Sequence, residues 1–512
     1  MKKSIFLFLV TLMVASLEAA IYRVTHDAPG GGDGLSWATP MTIAEAIAAA
    51  TTAEDIILCK AGEYTPTATI AISTAITFKG GLKGTDDETL AENGERSVFD
   101  TQNNSAITAI FSVTTTSGLN TFEGVEVRNA YFRGFNKSGA GSLSFKNCVF
   151  DSCGKNYKTS ASSFTLRGGA GCFIGGGSAT ITFENCVFSR NMYELNETSN
   201  IGFGLAVAFQ SWKGVTIDNS LFVSNGLGRA CLKSTKNGSG VNNIRGAAIY
   251  SESPVTIRNT EFRANRAGIS AALGGIVYVK DVSETSAFTN CLFLANSCEH
   301  CNTDITTAAA GVLVFRSKTK GILDVVNCTF AYNYTDSRNQ VSAGIDIGTY
   351  ISPGSQNAKA NIKNTIFYGA KKNESLKGGK DINVASGCSA NIDYCLFEEN
   401  STACISGAGT INKGQNNVFG DPKFVRAITA GEIASIMVNN DTYYGYSADA
   451  YETVFSKADV HGKSRKFVID KGDPSSKYSN EPIPNGKRIN LGYYGNTPGA
   501  IKTAAGMMVI LR

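Results

Sequence analysis

The feature that most limits what this chain can fold into is a seven-residue phrase, Asn-x-x-Phe-x-x-Asn. It returns at intervals too regular for chance and too long for a coiled coil. The phrase runs from Asn185 to Asn191, Asn219 to Asn225, Asn259 to Asn265, Asn290 to Asn296 and Asn327 to Asn333. Degenerate copies flank these five, from Asn147 to Cys153, Asn364 to Ala370 and Tyr394 to Asn400. The phenylalanines, Phe150, Phe188, Phe222, Phe262, Phe293, Phe330, Phe367 and Phe397, follow one another at steps of 30 to 40 residues. Self-similarity at such a period means a solenoid, propeller or array, in which each repeat is one supersecondary unit stacked on its neighbours.

The residues around the phrase decide which. Short alternating runs precede the first Asn, as at Thr182-Phe183, Val215 to Ile217, Val255 to Ile257 and Asn361 to Lys363, and this is strand patterning of period 2. After the Asn comes a second short strand in which a small residue and the Phe share a face. The small residues are Cys148, Cys186, Ser220, Thr260, Cys291, Cys328, Thr365 and Cys395. A third run opens on glycine, at Gly246 to Tyr250, Gly274 to Tyr278, Gly311 to Phe315 and Gly344 to Ile347. Three short strands per repeat and no helical stripe make an all-β chain, a parallel β-helix rather than four-stranded propeller blades or helix pairs. Asn at the corner has a physical reason: it tolerates left-handed backbone, bonds its own main chain at a turn, and can stack its amides along the axis.

These motifs resemble a right-handed parallel β-helix protein of the pectate lyase-like superfamily. Phe-x-x-Asn at Phe188, Phe222, Phe262, Phe293, Phe330 and Phe397, with glycine-led strands at Gly246 and Gly274, is also similar to the repeats of chlamydial polymorphic outer membrane proteins. The resemblance covers about residues 120 to 400. It implies corners and core for the motif residues, the ladder of Asn147, Asn185, Asn219, Asn259, Asn290, Asn327 and Asn364 beside the eight Phe, and carries no catalytic residue with it.

Residues 1–19 read as a secretion signal: Lys2-Lys3, an apolar run from Ile5 to Val14, and Leu17-x-Ala19 as cleavage site, so that the mature chain begins at Ala20. Residues 20–59 read as an N-terminal cap, with Pro40 before the helical run Thr42 to Thr51, and 60–420 as the β-helix. Residues 421–512 read as a C-terminal capping tail. Gly420 to Phe424, Val468 to Pro474 and Arg488 to Gly495 resemble the tail of bacterial secreted β-helix proteins. No later run of eighteen apolar residues could span a membrane, and the tail lacks the ten-residue alternating segments of an outer-membrane barrel. A net charge of +4, scattered along the chain, is too weak to imply nucleic acid or an anionic membrane as partner.

The 13 Cys of an exported chain suggest disulfides, but the count is odd and five of them fill the small-residue column where Ser and Thr substitute. They read as core, with Cys148 to Cys186 and Cys291 to Cys328 close enough in adjacent coils to bridge. Cys298-Glu-His-Cys301 has metal-like spacing without a second ligand pair, so no metal site is expected.

The resemblance implies two chemistries to look for. Pectate lyase-like enzymes use a Lys or Arg base with carboxylate-bound calcium; the related hydrolases use an Asp cluster with a nearby His. None of His26, His300 and His461 has the hydrolase Gly-His-Gly context, and Asn302-Thr-Asp304 lacks its companion Asp pair. In the lyases the cleft lies on the outer face of the glycine-led strand. Aligning the strands on their glycines stacks Asp346 with Gly171, Ala206, Ile249, Val277 and Leu313, beside a second column of Phe173, Ala208, Ser251, Val279, Phe315 and Gly348. That wall is apolar, with Lys280, Arg316 and Asp346 as the nearest catalytic candidates. The expectation is a secreted or cell-surface protein that contacts an extracellular polysaccharide or surface protein without catalysis and without a cofactor. A polysaccharide lyase acting on an acidic polymer, with calcium, is the alternative.

Overall fold

The computed structural model describes residues 19–85, 89–91, 94–154, 164–193, 200–227, 243–269, 273–300, 309–335, 342–348, 357–372, 380–399, 404–440, 443–447 and 450–503. The signal segment before Ala19, Asn302, Asp304 and Cys301 lie outside the described residues. The chain winds as a right-handed parallel β-helix. A first sheet of 13 strands runs in register from Ile21–Val24 to Thr410–Lys413, and a second of 12 strands runs from Gly62–Tyr64 to Val418–Phe419. The third sheet holds the glycine-led strands, Gly171–Ile174, Val207–Gln210, Asn243–Ser251, Leu273–Lys280, Ala309–Arg316, Ser342–Ile347 and Lys380–Val384, paired in parallel.

The repeated phrase is two corners around one core residue. The first Asn of each copy, from Asn147 to Asn364, takes φ between 46° and 58°, the left-handed corner between first and second sheets. A second left-handed residue, at Ser152, Arg190, Ser224, Ala264, Ala295 and Tyr332, turns the chain out of the second sheet. Between the corners the Phe points inward. Phe150, Phe188, Phe222, Phe262, Phe293, Phe330, Phe367 and Phe397 form one stack with centroid separations of 4.4 to 5.2 Å, and none is more than 3% exposed.

The closing Asn of the phrase is buried and holds the second corner. In Asn191, Asn225, Asn265 and Asn296 the Nδ2 donates to the next coil's Asn Oδ1 at 2.9 to 3.1 Å and to a Phe carbonyl one coil back at 2.8 to 2.9 Å. Each amide is thereby satisfied inside an apolar core, where an unmade hydrogen bond costs about 1–3 kcal/mol. The small-residue column has an equally local cause. Ser220, Thr260 and Thr365 donate their hydroxyls to the carbonyl two residues back, and Cys148, Cys186, Cys291, Cys328 and Cys395 do the same with their thiols. Cysteine is thus the third member of a set of small donors closing the Asn corner, and both candidate bridging pairs are free thiols. Cys298, the start of the metal-like spacing, is buried in the hydrophobic core.

The helix Ile43–Ala49 begins with a capping box, Thr42 accepting from the Glu45 amide and Glu45 reaching back to Thr42, and lays Ala46 on the first coils. The C-terminal segment packs along the flank of the solenoid. Phe424, Ile428, Ile433, Phe455 and Leu491 cover the outer face of the second sheet at Leu292, Leu294, Ala331, Ile366 and Leu396. Polar contacts fix it: Asn290 donates to the Tyr493 and Gly495 carbonyls, Asn364 accepts from the Asp473 amide, and Lys363 pairs with Asp473 at 2.6 Å.

Candidate functional site

The third sheet has a register different from the one obtained by aligning glycines. Leu313 pairs with Ile345, and Asp346 with Val314 on one side and Asn383 on the other, because the register shifts between Gly311 and Leu313. A bulge of one residue moves every later side chain to the opposite face. Ile249, Val277 and Leu313, expected to form an outward apolar wall, are therefore core residues at 0% exposure, as are Phe173, Val279 and Phe315. The outward column is Cys172, Ala208, Tyr250, Tyr278, Val314, Asp346, Asn383 and Ser406.

Two residues farther along each strand, at the next outward position, the face becomes ionic. Gln210, Glu252, Lys280 and Arg316 follow one another in adjacent coils, Lys280 in direct register with Arg316. Glu252 is the hub. It accepts from the Tyr250 hydroxyl at 2.5 Å and Gln210 Nε2 at 2.5 Å, and Lys280 Nζ lies 3.4 Å away. Burial works against its charge, but these donors outweigh burial and hold its carboxyl below the usual range. Lys280 also pairs with Asp281 at 3.3 Å. Arg316 Nη1 donates to the Tyr278 hydroxyl at 3.0 Å, and burial pushes that phenol up, against the pull of Arg316.

Over this face leans a row of cations and rings from the turn into the glycine-led strands. Arg167, Phe203 and Arg245 are in register in three successive coils. Arg133, one coil earlier, donates Nε to the Arg167 carbonyl at 2.9 Å. The Arg167 and Arg245 guanidinium carbons sit 5.6 and 5.2 Å from the Phe203 ring centroid, and that ring packs at 4.7 Å on Tyr250. All four residues are half-buried, while Tyr250 and Tyr278 beneath are 1% and 0% exposed. The placement follows from Gly168, Gly204 and Gly246, whose φ of 56°, 57° and 81° turns the chain so tightly that a Cβ would run into the carbonyl three residues on. The residue before each glycine is thereby left at the edge of the face.

Of the three sequence candidates, the structure brings Lys280 and Arg316 side by side and sets Asp346 apart in the other column. Asp346 is fully buried, accepts from Asn383 Nδ2 at 2.9 Å, and leaves Oδ2 without a partner. Desolvation pushes its carboxyl up to about 7, and Asp381, buried nearby in sequence, to about 8. A calcium site needs six to eight oxygens with several ionised carboxylates. Among the described residues no three acidic, histidine or cysteine side chains converge, Glu252 is committed to Tyr250, Gln210 and Lys280, and Asp346 favours its neutral form, so this donor set does not fit calcium. The residues that sequence reasoning missed are Arg133, Arg167, Phe203, Arg245, Tyr250 and Glu252. A signal for the first four was present: Arg-Gly, Arg-Gly, Phe-Gly and Arg-Gly recur once per coil at 133, 167, 203 and 245.

No protein-family profile and no curated protein sequence matches the chain. Among solved structures, pectate lyase Pel9A is similar with a TM-score of 0.41 and 17% identity, over 93% of this chain and 96% of that one. A mannuronic acid specific polysaccharide family 6 lyase from human gut microbiota is similar with a TM-score of 0.31 and 10% identity, over 83% of this chain and 89% of that one. The right-handed parallel β-helix rests on the sheet order and register themselves, and the resemblance to chlamydial repeats rests on the motif alone.

Proposed function

We propose that this is an exported protein, extracellular or on the outer cell surface, that binds an acidic polysaccharide lengthwise along the outer face of the third sheet and does not cleave it. The observation behind the reading is the half-buried row of Arg133, Arg167 and Arg245, the last two flanking Phe203. Coils repeat at about 4.8 Å, so guanidiniums one or two coils apart stand roughly 5–10 Å from each other, a spacing that a polymer with one carboxylate per sugar can follow. Guanidinium is the side chain suited to paired hydrogen bonds with carboxylates, and Phe203 offers an apolar surface for a sugar ring. Cleavage by β-elimination needs an uncharged base beside the sugar. Lys280 is instead engaged in ion pairs, with Glu252 at 3.4 Å and Asp281 at 3.3 Å.

The lyase reading has one observation in its favour: Lys280 and Arg316 are adjacent, next to the Tyr250 and Glu252 pair. Affinity electrophoresis in gels containing pectate, alginate, a glycosaminoglycan or a neutral glucan separates the outcomes. The mature protein is expected to be retarded by at least one acidic polymer and not by the glucan, and Arg167→Ala with Arg245→Ala to weaken that retardation at least tenfold. Equal retardation by the glucan, or none lost in the double variant, overturns the assignment. On the same polymers, with and without calcium, a rise in ultraviolet absorbance abolished by changing Lys280, Arg316 and Asp346 together would replace binding by lyase activity.

A further inference from the structure

We propose that the chain is cut between Ala19 and Ala20 and that the ammonium group released becomes a fixed part of the fold, held by the buried carboxylate of Asp55. Asp55 is 2% exposed. Its Oδ1 accepts the Ala20 backbone N–H at 2.9 Å and its Oδ2 accepts the Thr52 N–H at 2.9 Å. The Ala20 carbonyl in turn accepts the Ile56 N–H at 2.8 Å, so Ala20 is clamped on both sides, while Ala19 immediately before it is exposed. Among the described residues no Lys, Arg or His side chain is paired with Asp55, whose only donors are neutral amides. A buried carboxylate without a counter-charge is costly, and the atom aimed at it here is the one that proteolysis would turn into a cation.

The step balances with water and a signal peptidase. Hydroxide equivalent adds to the Ala19 carbonyl carbon, the C–N bond breaks, and the Ala20 nitrogen takes the remaining hydrogen plus one proton from solution. An α-amine titrates near 7.7–8.0 when free, so at neutral pH it is charged, and a carboxylate at hydrogen-bond distance raises that value. The first strand, Ile21–Val24, begins one residue later and starts the 13-stranded sheet. Processing would therefore fasten the first strand of the solenoid, and the uncut chain would lack that pair.

Export is common to this proposal and the function proposed above, but no glycan enters here, and recombinant protein tests it without secretion. A chain beginning at Ala20 is compared with one carrying Gly-Ser before Ala20, each with Asp55 and with Asp55→Asn. The expected result is an unfolding constant about tenfold smaller for the Ala20 form at pH 6–7, with no difference between the two forms once Asp55→Asn is present. The ion pair contributes below the free-amine value and is lost as pH rises through the higher folded value, so the advantage should vanish in alkali. Acylation of the α-amine should be slowed at least tenfold relative to the unfolded chain, and this measurement stands if Asp55→Asn does not fold. A mature terminus other than Ala20 in the exported protein, an extension without effect on stability, or an amine that acylates at the free rate overturns the proposal.

Discussion

The outer face of the second sheet changes character half-way along the solenoid, while its inner face does not. In the earlier coils the outward positions hold Glu126, Arg128, Asp151 and Ser189, and the charges pair among themselves: Arg128 with Glu63 at 2.7 Å and Asp100 at 2.8 Å, Arg190 with Asp151 at 2.6 Å. In the later coils the same positions hold Leu292, Leu294, Ala331, Ile366 and Leu396, all buried beneath the C-terminal segment. Glu261, bonded through its carboxylate to the Tyr493 hydroxyl at 3.0 Å, lies at the seam. Phe188 and Phe330 occupy the same inner position on either side of it. The inner column specifies the fold; the outer column specifies what lies against it.

Four measurements would break or sharpen that contrast. The largest effect is expected from Leu294→Asp, which places an unpaired charge under the C-terminal segment and should cost about 4 kcal/mol or more, whereas Val223→Asp on the open half should stay within about 0.5 kcal/mol. Equal losses in urea unfolding would mean that the two halves are covered alike. On the inner face Phe188→Ala and Phe262→Ala should each cost about 3–5 kcal/mol from lost transfer energy and an unfilled cavity, regardless of half; a core that is uneven along the axis would separate them.

The third measurement uses acid. Folding raises Asp346 to about 7 and Asp381 to about 8. Between the unfolded value near 4 and those values the native state binds more protons, so this contribution to stability is full below pH 4 and is lost as pH climbs through 7 to 8. Changing both to Asn should flatten that fall by several kcal/mol in melts taken from pH 4 to 8. A pH profile unchanged in the double variant would show that neither carboxyl is desolvated in solution. The smallest effect is expected at the open ionic face, where Arg190→Ala should cost less than about 1 kcal/mol and less still in high salt. A loss of several kcal/mol at Arg190 would mean that the earlier coils also carry a cover.

The β-helix was legible because its core residues repeat in one dimension. A stack of Phe at the same place in every coil leaves a periodic mark even when coil length varies. The face of the third sheet was less legible for a geometric reason. Aligning Gly311 with Gly344 puts Leu313 opposite Asp346, and the bulge puts it opposite Ile345. One residue is enough to exchange core for surface. Lys280 and Arg316 could be named from their strand position, but Glu252 and Tyr250 gain their roles only through contacts across coils, Glu252 with Gln210 and Lys280 and Tyr250 with Phe203 and Tyr278. The steps Arg167-Gly168, Phe203-Gly204 and Arg245-Gly246 were written in the sequence and carry meaning only once those three glycines are known to be left-handed. The place of the C-terminal segment was the least legible part, since Ile428 meets Tyr332 and Tyr493 meets Asn290 across about 100 to 200 residues of chain.

The buried amide column bears on how such a molecule ages. Hydrolysis of an asparagine amide leaves the side chain almost the same size but exchanges its two-hydrogen donor for a negative oxygen. At Asn265 that exchange would strand the Phe222 carbonyl, now served at 2.9 Å, and set a charge against the Asn296 Oδ1 that accepts from it at 3.0 Å. Because every member both gives to one neighbour and receives from the other, a single altered amide would be felt in the coil above and the coil below. The same packing that makes the lesion costly keeps water from reaching it: Asn191, Asn265 and Asn296 are each 0% exposed. Chemical wear should therefore appear first at the exposed corner amides, Asn185 and Asn219, and reach the inner column only after coils have opened.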